Sequence, residues 1–403
     1  MKVIDLVYFN AGGGHRAAAL ALQAVIAEQQ RPWQVRLVNL TEVLDPSGSF
    51  RRVMGFDPEH LYNKRLQRGW TLGLAQEIKL LQGLIRLAHA PMLRTLQQHW
   101  AATEPDLVVS LVPNFNRVLC ESVAGALPGT PFVTVMTDMA DHPPHFWIEP
   151  GQDQTIVCGT PFALEQARKA GYADRQLALT SGMLLHPSFY RLQAERRGER
   201  HRELGLSPLR PTGVVMFGGH GSRQMLRIAK ALDDVQLVLM CGHNQALAAS
   251  LRGLRRSAPH AVYGFTHEVS AVMSMGDFFI GKPGPGSLSE AVHLGLPVVT
   301  LSNAWTMPQE RYNARWVQEQ GVGCVVSSLD QLRPAVHGLI ERLPQFLAAT
   351  SRIDNRAVFE VPEILAQRLR DSAVPLFRAT APARVGPARV AAPRQVLEPA
   401  AQR

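Results

Sequence analysis

Gly281-Lys282-Pro283-Gly284-Pro285-Gly286-Ser287-Leu288-Ser289-Glu290, running into Ala291-Val292-His293-Leu294-Gly295-Leu296-Pro297, is the stretch on which the fold turns. Phe278-Phe279-Ile280 before it is an apolar run that ends a buried strand. The glycines and prolines up to Gly286 fit neither a helix interior nor a central strand. From Ser287 the pattern turns helical, and Pro297-Val298-Val299-Thr300-Leu301 is a further strand. The order is strand, Gly/Pro loop, helix, strand, the unit of a parallel sheet. A helix opened in this way offers bare backbone N–H groups and a positive dipole end to an anion such as a diphosphate. Ser287 and Glu290 stand three apart and admit two readings. They form a capping box that closes the helix start on itself, or they face a ligand lying over the first turn.

Loop, Glu290, Gly295, Pro297 and the following strand resemble the nucleotide-sugar motif of two-domain glycosyltransferases of the GT-B type. The family in question, family 28, holds the monogalactosyldiacylglycerol synthases and the peptidoglycan N-acetylglucosaminyltransferase. The resemblance implies that Glu290 accepts hydrogen bonds from the ribose hydroxyls of UDP. A carboxylate suits a vicinal diol because it is acceptor-only with two oxygens. It also implies that Pro285, Gly286 and Ser287 line the same nucleotide.

The chain has 403 residues, enough for two domains, each with its own core. Hydrophobic residues make up 46% and charged residues 19%, an ordinary globular balance. The net charge of +9 points to an anionic partner: nucleic acid, a membrane surface or a phosphorylated substrate. The basic residues gather on no recognisable nucleic-acid module, so nucleic acid is not expected. Cys120, Cys158, Cys241 and Cys324 are far apart and read as buried thiols of a reducing compartment. No signal peptide is visible, and no stretch approaches the roughly 20 apolar residues of a membrane helix. The expectation is a cytoplasmic protein, peripheral on the inner face of the cell membrane.

Val3-Ile4-Asp5-Leu6-Val7-Tyr8-Phe9 is a first strand, followed by the glycine loop Asn10-Ala11-Gly12-Gly13-Gly14-His15-Arg16 and an alanine-rich helix. Gly12-x-Gly14-x-x-Ala17 formally fits a dinucleotide fingerprint, a short and unspecific pattern. The same loop resembles the N-terminal loop of the glycosyltransferase family, which implies that Gly13, Gly14 and His15 face an inter-domain cleft. His15 sits where a strand ends and a helix begins, the crevice position of open sheets. Residues 51–100 carry eight basic against three acidic side chains, mixed with Tyr62, Trp70 and leucines. That mixture suits anionic lipid headgroups, or else a core helix with a basic outer face. A helix is expected over residues 77–96, interrupted at Pro91. Pro131-Phe132-Val133-Thr134-Val135-Met136-Thr137-Asp138 is a strand ending in an aspartate, and the family carries a similar Thr-Asp followed by His-Pro and Trp. Asp138 therefore lines the cleft or caps a turn. His142 and His145 lack further ligands for a metal, and no Asp-x-Asp pair is present to hold one on a diphosphate.

Charged residues 191–211 read as a linker, and Thr212-Gly213-Val214-Val215-Met216-Phe217 opens a second domain. Gly218-Gly219-His220-Gly221-Ser222 then precedes a helix, glycines again letting N–H groups approach phosphate. By resemblance Gly219, Gly221 and Ser222 stabilise the diphosphate and Phe265 marks the uracil position. Gln309 and Glu310 match the pair that grips the sugar hydroxyls, with Gln-Glu as in the galactolipid branch. Residues after about 374 are rich in Ala, Pro and Arg and lack periodicity.

The expected fold is α/β of GT-B type, two Rossmann-like doubly wound domains facing a cleft. Residues 1–190 form the acceptor domain, 191–211 the linker and 212–376 the UDP-sugar domain, whose last helix is placed to cross back. Residues 377–403 form a disordered basic tail. The expected activity is inverting transfer of galactose or glucose from a UDP-sugar to diacylglycerol or a related lipid, without cofactor or metal. His15 is the base, with Asp138 as its orienting partner or as the base itself. Transfer of N-acetylglucosamine to a lipid-linked peptidoglycan precursor is one rival; a non-catalytic nucleotide-sugar-binding module at the membrane is another.

Overall fold

The computed structural model describes residues 1–10, 13–46, 74–191 and 197–373. Its strands form two six-stranded sheets, ordered β2-β1-β3-β4-β5-β6 and β12-β11-β10-β7-β8-β9. In the first sheet, β1 is Lys2–Tyr8, β2 Trp33–Asn39, β3 Leu107–Ser110, β4 Phe132–Val135, β5 Thr155–Cys158 and β6 Leu177–Leu179. In the second, β7 is Thr212–Met216, β8 Gln236–Met240, β9 His260–Tyr263, β10 Phe278–Gly281, β11 Val298–Leu301 and β12 Gly323–Val326. All the pairings are parallel.

Parallel strands need helical crossovers, so both faces of each sheet are covered and the strands read as continuous apolar runs. β1 shows the consequence. Ile4 and Leu6 pack on Leu22 and Ile26 of the helix Gly14–Glu28, while Val7 on the opposite face joins Leu96 and Trp100 of the helix His89–Thr103. In the second sheet Val214 and Phe279 face Leu288 and Val292, and Val215 and Leu239 face Met225 and Ile228. The strand order reverses direction between β1 and β3 in one sheet and between β7 and β10 in the other. Ligands of open α/β sheets bind outside the strand carboxyl ends at such points.

Two expectations change. The helix placed over residues 77–96 is two helices, Leu74–Leu87 and His89–Thr103, and Pro91 lies in the first turn of the second, where its missing N–H costs nothing. The segment read as a linker contains the helix Arg197–Glu203, whose His201 is buried and meets Thr212 Oγ1 at 3.2 Å. Arg197 also pairs with Asp277 at 2.7 Å. From Arg197 onward the chain therefore belongs to the second domain; its surface charge hid the inward contacts of His201 and Leu206. The helix Ala357–Ala373 sends Val358, Val361, Leu365 and Leu369 into the core of the first sheet. It leaves the second domain through Asn355, which donates to the Met183 carbonyl at 2.9 Å.

The domains also meet between helices. Phe162 of the first stacks on Tyr312 of the second at 4.3 Å, with the Arg315 guanidinium 4.9 Å from each ring centre. Met139, Met183 and Phe189 from the first domain share one apolar cluster with Val214, Leu288 and Tyr312.

Candidate functional site

Gly13 carries a left-handed φ of 81° and is followed at once by the helix Gly14–Glu28. That turn sets His15 at the carboxyl end of β1. Its Nδ1 lies 3.0 Å from Thr137 Oγ1 and its ring 5.9 Å from that of Trp147. Burial pushes the imidazole down to about 4, against a smaller opposing pull from the Leu111 carbonyl. His15 is thus neutral at neutral pH, in the form that accepts a proton.

Asp138 follows β4 and is buried. Its Oδ2 accepts from Trp147 Nε1 at 2.9 Å. The sequence offered Asp138 as a partner orienting His15; the side-chain hydrogen bond on that ring is with Thr137, beside the contact with the Leu111 carbonyl, and Trp147 stands next to both His15 and Asp138. Burial raises Asp138 to about 7; the Trp147 bond opposes this, and Glu310 and Lys282 of the second domain pull in opposite directions. Trp147 is itself fixed by Asp141, whose Oδ1 accepts from the Trp147 N–H at 2.6 Å and whose Oδ2 accepts from the His145 N–H at 3.0 Å. His145 is tied into this turn, its Nδ1 donating to the Ile148 carbonyl at 3.3 Å.

On the facing domain, the loop after β7 turns through Gly218 and Gly221, with φ of 75° and 58°. A neighbouring loop presses against it: the His243 N–H donates to the Gly219 carbonyl at 2.9 Å. Ser222 and the helix Gln224–Ala231 follow. Phe265 is 48% exposed and lies stacked on the His243 ring at 4.0 Å, an open aromatic face at the rim.

The loop after β10 leads into the helix Pro285–His293, whose N-cap is Gly284. Proline at the first position leaves Gly286 and Ser287 to present the free N–H groups. This bears on the capping-box reading of Ser287 and Glu290. With the cap at Gly284, Ser287 is already inside the helix and donates back to the Gly284 carbonyl at 3.3 Å. Glu290 lies a turn further on; its carboxylate accepts no hydrogen bond from the described residues and is raised to about 7 by burial. It is not half of a capping box.

Gln309 and Glu310 sit in the short turn Pro308–Glu310, ahead of the helix Arg311–Glu319. Both are buried. Glu310 Oε1 accepts from Lys282 Nζ at 2.6 Å, and Asn313 Nδ2 donates to the Pro283 carbonyl at 2.8 Å. Gln309 Oε1 and Asn313 Oδ1 are buried acceptors left without a donor. Such atoms are costly unless a ligand's hydroxyls reach them.

The described site residues singled out in the sequence thus lie on the loops and helices that follow β1, β4, β7, β10 and β11, or, for Phe265, just beyond β9. Gly12, part of the first glycine loop, lies outside the described residues. Thr137, Asp141, Lys282 and Asn313 were missed. Asp141 had a local signal, an aspartate before a turn; Lys282 and Asn313 depend on contacts between distant segments.

Residues 214–357 match the glycosyltransferase family 28 C-terminal domain. The chloroplastic monogalactosyldiacylglycerol synthase of Spinacia oleracea is 27% identical over 355 residues, 83% of this chain and 65% of that protein. Monogalactosyldiacylglycerol synthase 1 of Arabidopsis thaliana is 28% identical over 80% of this chain and 62% of its own length. The chain therefore spans just under two thirds of the length of these curated relatives. Among solved structures, MurG of Acinetobacter baumannii superposes with a TM-score of 0.56 at 11% identity, covering 91% of this chain and 100% of that one. Anabaena HepE, solved with UDP-glucose, gives 0.52 at 16% identity over 92% and 100% of the two chains. At these identities the structural likeness is one of fold: two doubly wound domains of the GT-B type. The match to the family 28 C-terminal domain falls in the second half of that frame, and there the chain is similar to family 28 glycosyltransferases.

Proposed function

We propose that the chain is an inverting glycosyltransferase that moves a hexose, galactose or glucose, from a UDP-sugar to diacylglycerol or a related membrane lipid. The observation that carries this is the meeting of two half-sites. A neutral histidine stands at the reversal point of one sheet, two glycine loops stand at that of the other, and Asp138 of the first domain senses Lys282 and Glu310 of the second. The relatives' names supply the acceptor class, and HepE, solved with UDP-glucose, supports the donor class.

In this reading the acceptor hydroxyl attacks the anomeric carbon in line, His15 takes its proton, and the bond to the diphosphate breaks. Asp138 is the alternative base. The loops at Gly219, Gly221 and Ser222 and at Pro285, Gly286 and Ser287 hold the diphosphate with N–H groups and helix dipoles. Glu290, a half-buried carboxylate whose side chain has no partner among the described residues, takes the ribose diol, and Gln309 and Glu310 take the sugar hydroxyls. No metal is assigned: among the described residues no group of His, Cys, Asp and Glu is arranged to hold one, and activity should persist in EDTA.

The peptidoglycan reading is second, and Glu310 beside Gln309 weighs against it. Incubation with a panel of UDP-sugars and mixed lipids, read by the mass of the lipid product, decides. Hexosylated diacylglycerol is the expected product. A product only on a muramoyl lipid, or none on any lipid, overturns the proposal.

A further inference from the structure

Lys282 has no part in the scheme so far, yet its place is unusual. It follows β10 directly and precedes the cap residue of the helix Pro285–His293. A methyl group set on Gly284 would meet Lys282 Cε at 3.4 Å and Glu310 Oε1 at 3.7 Å, so the lysine stem and the carboxylate both lie against the helix cap. The lysine side chain is 35% exposed, while that of Glu310 is 6% exposed. The cation is therefore the reachable member of the pair and the carboxylate the hidden one.

A buried carboxylate without a cation or donors is strongly unfavourable, which accounts for the 2.6 Å pairing. The same turn carries two further buried acceptors without donors, Gln309 Oε1 and Asn313 Oδ1. A ligand with several hydroxyls would satisfy these and could also donate to Glu310, releasing the ammonium. The helix start beside it presents free N–H groups, where an anion is favoured.

We infer that Lys282 is the exchangeable cation of the donor site: it rests on Glu310 when the site is empty and turns to the diphosphate when a nucleoside diphosphate binds, the hydroxyls of a donor sugar then taking its place on Glu310. This rests on the UDP-sugar reading above. A lysine ammonium suits the task as a compact charge with three donors on a flexible stem. Charge on the leaving diphosphate grows as the glycosidic bond breaks, so a cation placed there acts most strongly in the transition state. Arg223, which caps the helix after the other glycine loop, is the rival source of positive charge.

The test compares UDP with uridine, which lacks the phosphates, by calorimetry on the full chain. For Lys282→Gln the affinity for UDP should fall about tenfold or more, the worth of one charge-assisted hydrogen bond, while that for uridine stays as in the unaltered protein. Lys282→Arg should restore much of the loss. Because Lys282→Gln strands the Glu310 carboxylate, the doubly neutral Lys282→Gln/Glu310→Gln protein is measured beside it and should show the same loss of preference for UDP. If the unaltered protein binds both ligands and the Lys282 variants keep full preference for UDP, the inference is overturned and the donor-site reading stands. The same holds if only Arg223→Gln removes the preference. If the unaltered protein binds neither UDP nor uridine, the donor-site reading falls and this inference with it.

Discussion

His15 and Asp138 are displaced in opposite directions by one cause. Burial disfavours charge, so it lowers the imidazole to about 4 and raises the carboxyl to about 7. A base acts only when deprotonated, so rate falls as pH drops through its pKa. With His15 as base, kcat/KM should hold from pH 8 down to about 5 and fall towards 4; with Asp138 as base, the fall should centre near 7. A pH profile with Asp138→Asn separates the two cases: the variant should keep a limb near 4 if His15 is the base and lose activity throughout if it is not. Glu290 makes a second residue-scale prediction. Glu290→Ala should weaken UDP binding by about 1–3 kcal/mol, the scale of charge-assisted hydrogen bonds. Unchanged affinity by calorimetry would return Glu290 to a structural role. Both positions were legible in the sequence because each stands where an apolar strand gives way to a polar or glycine turn. Thr137 as the partner of His15 was not, since adjacent Thr137 and Asp138 both carry suitable oxygens and only the strand's exit direction chooses between them.

Elements explain the rest of what the sequence left open. Ser287 and Glu290 have capping-box spacing, but Gly284-Pro285 starts the helix earlier, and a proline at the first helical position outweighs the later serine. The loop at Gly218–Ser222 was legible from its glycines, but not what holds it. Gly242 holds it: with φ at 56°, a β-carbon there would lie 2.0 Å from the Gly219 carbonyl oxygen. Gly242→Ala must therefore move the Gly218–Ser222 loop as well as strain its own backbone. We expect a loss of about 1–3 kcal/mol in urea unfolding together with weaker UDP binding. Wild-type stability and affinity in that variant would mean the two loops are not coupled. The linker reading of residues 191–211 failed for a related reason. Arg197, Arg200 and Arg202 read as a solvated face, yet Arg197 and Arg200 are half-buried against Asp277 and the Ala271 carbonyl, and only the packed sheet reveals that His201 points inward.

At the scale of the whole molecule, the two Rossmann-like halves were readable because each repeats strand, glycine loop and helix, and parallel strands leave little choice of architecture. The proposed lipid acceptor was less readable, because Arg65, Arg68, Tyr62 and Trp70, which suggested a membrane surface, lie outside the described residues. The described part supplies a narrower basis. In the helix Leu74–Leu87, Ile78 packs against the cluster of Trp147, and Gln82 donates to Asn114 Oδ1 at 3.2 Å and to the His145 carbonyl at 3.3 Å. This fixes one face beside the cleft. Leu80, Leu84 and Leu87, at helical spacing on another face, are 65%, 53% and 84% exposed, with Lys79 and Arg86 exposed next to them. A cavity of about 250 Å³ lined by Gln82, Arg86, His89, Arg117 and Glu149 opens alongside. Among the described residues no helix is long and apolar enough to cross a membrane. Basic groups near an anionic surface contribute about 1 kcal/mol each and are screened by salt, whereas inserted leucines add a part that salt does not remove. Binding to anionic vesicles should therefore far exceed binding to neutral ones and be only partly reversed by salt. Replacing Leu84 and Leu87 by serine should remove the salt-resistant part in a flotation assay and lower turnover on vesicles more than on detergent-dispersed acceptor. A chain ending at residue 373 tests the rival, the arginines of the last residues. If that truncation abolishes binding while the serine variant binds as before, docking belongs to the tail and the leucine face serves some other contact.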